Sequence, residues 1–288
     1  MIILTDFEEI TGYFQSFDEK ELFYRKWVPK DNPKKIVFIG YHGGAVNSKN
    51  MKHPGEHFSK KGYPFYALDQ RGHGNCDKKD MGYVKNYHYY IKDIVSFVEF
   101  VKKKEKSDKI VLVGHSNGGG LVVATAIKHK NVADYLILSA PTIRLYGNKF
   151  GLFIQEILAY SLGTILPRMK IAHGIKPEEL CRDQEVLKER SADPYYWEKG
   201  TLRWVRTIFR FSRFNRKNFS KLEIPALFMV PEDDKIVDPE TTLKLFPKIK
   251  DKPGMQLNYY KGHLHELFNE DLDKRNKIFK DIEEYLKI

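Results

Sequence analysis

Apolar residues along most of the chain come in short unbroken runs, separated by stretches in which they recur at helical spacing. The runs Ile36–Tyr41, Phe65–Asp69, Ile110–Gly114, Tyr135–Ser139, Ala226–Val230 and Met255–Tyr260 read as strands. Continuous rather than alternating hydrophobicity is what strands need when both faces are covered, as in a parallel sheet. Between the runs, Tyr89–Lys104 places Ile91, Ile94, Val95, Val98 and Val101 on one helical stripe. Gly118–Lys130 and Asp271–Lys287 read as further helices. The opening Gly12–Val28 alternates (Phe14, Phe17, Leu22, Tyr24, Trp27) and predicts an antiparallel hairpin at the sheet edge.

The rhythm stops at Pro141 and resumes at Ile224-Pro225. No strand pattern is visible in between, and a structureless loop of that length is implausible. The expected division is therefore an α/β core from residues 1–140 and 219–288, with residues 141–218 as a folded helical cap. Within it, Phe150–Leu166 is almost wholly apolar. Such a helix most simply fills the insertion's own core; lining an acyl tunnel and touching lipid are the other readings. In Thr201–Phe214, Arg203, Arg206, Arg210 and Arg213 step by three, four and three, within about 80° of one another on a helix. This is a cationic amphipathic helix, suited to an anionic membrane surface, to an acidic partner or to ordinary packing with its arginines in water.

Composition narrows the options only a little. The 288 residues are 42% hydrophobic and 14% aromatic, which excludes a disordered chain. Two cysteines, Cys76 and Cys181, exclude a disulfide scaffold. The net charge of +11 is compatible with anionic partners, but no nucleic-acid reading motif accompanies it, so none is expected. The first ten residues carry Asp6, Glu8 and Glu9 and lack the basic start of a leader. A cytoplasmic protein is expected, with peripheral membrane contact through the cap. There is no G-x-G-x-x-G and no P-loop, and His263 with His265 are too few ligands for a metal. No cofactor is implied.

The chemistry concentrates at Gly114-His115-Ser116-Asn117-Gly118, a G-x-S-x-G between a strand run and a helical pattern. There a serine stands on a sharp strand-to-helix turn, and small neighbours let strand and helix approach. A hydroxyl needs a base to become a nucleophile, and the base needs an orienting acid. Acids follow the Ala226–Val230 run at Glu232, Asp233 and Asp234, and histidines follow the last strand at His263 and His265. Spacing alone does not choose among them. The residue after the serine, Asn117, offers one oxyanion N–H, and the loop His42-Gly43-Gly44 offers the second.

With HGG at 42–44, DQRGHG at 69–74, GHSNGGG at 114–120, PEDDKIVDP at 231–239 and HELFNE at 265–270, nearly the whole chain resembles the monoacylglycerol lipase and lysophospholipase branch of the α/β-hydrolase superfamily. The resemblance implies the α/β-hydrolase fold and a serine carboxyl-ester hydrolase working on monoacylglycerol, lysophospholipid or small esters. It implies Ser116 as nucleophile, His265 as base and Asp234 as acid, the last from a G-x-x-D-x-[IV]-V loop in which Pro231 replaces the usual Gly. It implies Gly44 as the second oxyanion donor and a cap that binds the acyl chain. Asp69, Arg71 and His73 are expected to form a satisfied hydrogen-bond network, and Cys76 to be a small packed residue. Amide, thioester or acyl-transfer chemistry on the same residues, or lipid binding without turnover, are the alternatives.

Overall fold

The computed structural model describes residues 6–31, 33–76 and 78–288; the first five residues, part of the segment read above for a leader, lie outside it. The chain opens with β1 (Phe7–Gln15) and β2 (Glu21–Pro29), the expected hairpin, extended outward to Phe7 and Pro29. Then come β3 (Ile36–Tyr41), α1 (Lys52–Lys60), β4 (Phe65–Leu68), α2 (Tyr87–Glu105), β5 (Lys109–His115), α3 (Ser116–Lys128) and β6 (Tyr135–Ser139). An insertion follows: α4 (Lys149–Ile165), β7 (Lys170–Ala172), α5 (Gln184–Ser191), β8 (Lys199–Thr201) and α6 (Leu202–Asn218). The core resumes with β9 (Ala226–Pro231), α7 (Pro239–Leu245), β10 (Met255–Tyr260) and α8 (Leu272–Leu286).

Among the described residues, eight strands form one sheet in the order β1-β2-β4-β3-β5-β6-β9-β10, antiparallel as far as β4 and parallel from there on. This is the mostly parallel, helix-flanked sheet of the α/β-hydrolase fold. Side chains alternate across it into two cores. One includes Val37, Ile39, Ile110, Leu112 and Leu136 and packs on α2 and α3; the other includes Phe38, Phe65, Val111, Val113 and Ile137 and packs on α1 and α8. The strand C-termini of β3, β5, β9 and β10 open on one edge, where such sheets hold their ligands.

Two expectations for the insertion are overturned. It contains a small antiparallel ribbon, β7 with β8, whose three-residue strands are too short to show a pattern. The apolar helix α4 does not fill a core: of its residues only Ala159 and Gly163 are buried, while Phe150 is 75% and Phe153 58% exposed. The helix is turned outward because its small and polar stripe meets α6. Arg206 bonds Thr164 at 2.7 Å and lies over the Tyr160 ring, Arg213 reaches Glu156 at 3.3 Å, and a side chain at Gly163 would collide with the Leu202 carbonyl at 2.9 Å. The arginine helix is therefore not the surface element: α6 buries Leu202, Trp204, Ile208, Phe209 and Phe211, and α4 covers part of its cationic stripe. No helix among the described residues is long and apolar enough to cross a membrane.

Candidate active site

Ser116 sits between β5 and α3 with φ +52°, a left-handed conformation that costs a non-glycine residue free energy and lifts its side chain clear of the chain. The turn closes only around glycine: a Cβ on Gly118 would stand 2.2 Å from the Tyr41 carbonyl oxygen, and one on Gly114 would stand 2.6 Å from the Gly119 Cα. Seen from the serine, His265 Nε2 lies 2.9 Å from Oγ, and His265 Nδ1 lies 2.7 Å from Asp234 Oδ2. All three side chains are buried. The second oxygen of Asp234 accepts the N–H groups of Ile236 (2.8 Å) and Val237 (2.9 Å), which fixes the carboxylate against rotation.

The neighbouring candidates point elsewhere. Glu232 is exposed and accepts the Gly262 N–H at 3.0 Å. Asp233 is exposed and pairs with Arg182 at 3.7 Å. His263 bonds the Lys261 carbonyl at 3.0 Å and packs on Tyr260, away from the serine.

The His42-Gly43-Gly44 loop lies against the start of α3. Gly118 N–H donates to the His42 carbonyl at 3.1 Å, and a Cβ on Gly43 would come within 3.5 Å of Ser116 Cβ. Gly44 faces Asn117, with a Cβ there 3.9 Å from that of Asn117. Among the described residues no acceptor takes the Gly44 N–H. Asn117 is in the first turn of α3, whose N–H groups lack intrahelical partners. Gly44 and Asn117 thus lie on the two segments that flank Ser116.

Three features around the site carry no local sequence signal. Gln70 ties both donor segments together: its amide nitrogen donates to the His42 carbonyl at 2.5 Å, and its amide oxygen accepts from Asn117 Nδ2 at 2.8 Å. Glu266, beside His265, forms a buried pair with Arg190 of α5 at 2.5 Å. Burial pushes the Glu266 carboxyl up, but Arg190 and His115 outweigh it and hold the group down at about 2. Trp204 of α6 closes over the His42-Gly43-Gly44 loop, so a Cβ on Gly44 would come 2.9 Å from its ring. The partners of each lie 28 or more positions away, so only the fold joins them.

Burial lowers His42 to about 4, and burial together with a neighbouring histidine lowers His73 and His115 to about 3, so these three stay neutral. The DQRGHG turn is a buried network for the most part. Asp69 accepts the N–H groups of Ser48 (2.7 Å) and Asn75 (2.8 Å), and Arg71 pairs with Asp93 and Asp18. His73 departs from the expectation of full satisfaction: its Nδ1 donates to the Arg71 carbonyl, which leaves the buried Nε2 of the neutral ring as an acceptor, and among the described residues no donor reaches it. Cys76 is only half-buried, and burial pushes its thiol up to about 11.

A family model described as serine aminopeptidase, S33, matches residues 31–272. The chain is 27% identical to the monoglyceride lipase of Saccharomyces cerevisiae over 95% of its own length and 92% of that protein's. It is 24% identical to the monoacylglycerol lipase of Mycolicibacterium smegmatis over 88% of its own length and 89% of that protein's. The crystal structure of a soluble variant of the S. cerevisiae lipase with a substrate analogue superimposes with a TM-score of 0.83 at 25% identity, covering 96% of this chain and 94% of that one.

Proposed function

The chain belongs to the serine aminopeptidase S33 family of hydrolases, and from that premise we propose that it is a serine carboxyl-ester hydrolase acting on single-chain acyl esters of the monoacylglycerol or lysophospholipid type. The observation that carries the reading is the bridge made by His265, 2.9 Å from Ser116 Oγ and 2.7 Å from Asp234. Ser116 Oγ attacks the ester carbonyl while His265 Nε2 takes its proton. Asp234 holds the ring and offsets the charge it acquires. The N–H groups of Gly44 and Asn117 receive the oxyanion. The proton on His265 passes to the departing alkoxide, leaving an acyl-serine. Water, deprotonated by the same histidine, attacks that ester, and the acid leaves as Ser116 regains its proton.

Residues 141–218 act as the cap over this site. The outward stripe of α4 (Phe150, Phe153, Ile154, Ile157, Leu158, Leu162, Ile165) is an apolar surface that supports peripheral contact with a lipid interface from the cytoplasm. Lys149, Arg168 and Lys170 at the ends of that helix favour an anionic one. No cofactor, metal or nucleic acid enters this scheme.

Purified protein with p-nitrophenyl butyrate and longer acyl homologues tests it. Turnover is expected, and Ser116→Ala is expected to lose about 10³-fold or more in kcat. A Ser116→Ala enzyme as active as the parent sinks the proposal. The family's description favours one second reading, amide cleavage by the same residues. Matched ester and amide substrates, compared by kcat/KM, decide between them.

A further inference from the structure

A slot of about 210 Å³ opens between the first turns of α4 and the later turns of α6. Lys149, Leu152 and Glu156 face it from α4 at helical spacing, and Phe209, Ser212 and Arg216 face it from α6 in the same way. Arg144 and Leu145 contribute from the segment that leads into α4. The lining is thus divided into apolar walls (Leu145, Leu152, Phe209, with Phe153 at the rim) and three cations against one acid. That acid, Glu156, is already engaged by Arg213 at 3.3 Å.

The cations are unclaimed. Among the described residues neither Arg144 nor Lys149 has a side-chain partner. Arg216 uses only Nη1, toward the Ile143 carbonyl at 2.8 Å and Ser212 Oγ at 3.3 Å. Burial and the guanidinium groups of Arg144 and Arg213 lower Arg216 from its usual range, against the opposing pull of Glu156. Like charges gathered around an apolar cavity are unfavourable until an anion joins them. The slot is too small for a whole lipid but takes a head group and the first methylenes. A longer chain continues over the exposed Phe153 and Phe150 of α4.

We propose that this slot binds a single-chain amphiphile with an anionic head, the head on Arg144, Lys149 and Arg216 and the chain along Leu152 and Phe153. The site is separate from Ser116 and does not depend on the hydrolytic reading. A fatty carboxylate and the phosphate of a lysophospholipid share the required chemistry. The test is binding to full-length Ser116→Ala protein, which cannot consume the ligands, below their micellar concentrations. The probes are oleate, 1-oleoyl lysophosphatidate, oleyl alcohol and inorganic phosphate.

Oleate or the lysophosphatidate is expected to bind more tightly than oleyl alcohol, and the tighter of the two identifies the head. In Arg144→Gln/Arg216→Gln that Kd is expected to rise about tenfold or more, since charge-assisted hydrogen bonds are lost. Lys149→Gln, at an exposed position that cannot threaten folding, is expected to raise it about threefold. The oleyl alcohol Kd stays unchanged in both variants. Three results overturn the proposal: oleyl alcohol binding as tightly as the anions, inorganic phosphate matching the lysolipid, or an anion Kd that neither variant changes.

Discussion

Replacing Asp234 by Asn is the most informative single perturbation of this site, because the structure dictates how the new amide must sit. Asp234 Oδ1 accepts two backbone N–H groups, from Ile236 at 2.8 Å and Val237 at 2.9 Å. Only a carbonyl oxygen can remain there. The amide nitrogen of Asn then takes the place of Oδ2, 2.7 Å from His265 Nδ1. Two donors cannot face each other at that distance, so the imidazole must carry its proton on Nε2 instead. The lone pair that receives the Ser116 proton across 2.9 Å is then gone. The same tautomer error in a serine protease costs about 10⁴ in kcat, or about 5.5 kcal/mol of barrier. That magnitude is expected here with KM nearly unchanged, because Asp234 is buried behind the histidine. Steady-state kinetics on p-nitrophenyl butyrate measure it. Glu232→Gln and Asp233→Asn serve as controls, and each is expected to stay within about threefold of the parent, as exposed acids do. An Asp234→Asn enzyme within tenfold of the parent, or an equal loss in either control, refutes the reasoning.

Other outcomes follow from the surrounding contacts. Arg190→Met leaves Glu266 buried and unpaired, and is expected to cost about 3–5 kcal/mol in urea unfolding at pH 7. Because Glu266 titrates at about 2 in the folded chain against an ordinary 4.5, the pair's contribution is complete above 4.5 and fades as pH falls toward 2. The cost should therefore shrink at pH 3, and an equal cost at both pH values contradicts the assignment. Gly44→Ala pushes a methyl to 2.9 Å from the Trp204 ring and so shifts the N–H proposed to receive the oxyanion. A drop of about 10²-fold in kcat is expected, with little change in melting temperature; an unchanged kcat removes Gly44 from the site. Phe153→Ser/Ile157→Ser in α4 should reduce sedimentation with anionic vesicles while leaving butyrate ester hydrolysis intact, and undiminished vesicle binding means that another surface makes the contact.

The parts of this molecule that depend on local chemistry were readable from the chain. A serine at positive φ requires small residues around it, so the glycines of 114–120 announce the turn directly. Strands covered on both faces must be apolar throughout, so β3, β4, β5, β6 and β9 stand out as runs, while β10 at the sheet edge mixes Gln256 and Asn258 into its run. Where partners lie far apart in the chain, the reading stalled. Glu232, Asp233 and Asp234 are equivalent as letters; they differ because Gly262, Arg182 and His265 come to meet them from other loops. Periodicity identified the apolar stripe of α4 but not its direction, which is set by the arginines of α6 drawing in Tyr160 and Thr164. Helix α1 went unread because Pro54 and Gly55 interrupt its pattern, yet Gly55 is demanded by Trp27, whose ring lies 2.3 Å from where a Cβ would be.

The central claim, that the hydroxyl of Ser116 is activated by the histidine beside it, is met most directly by a fluorophosphonate probe followed by intact-mass and peptide mapping. The account predicts one adduct, on Ser116, absent in Ser116→Ala and formed far more slowly in His265→Ala. An adduct on another residue, or none while ester hydrolysis persists, contradicts it.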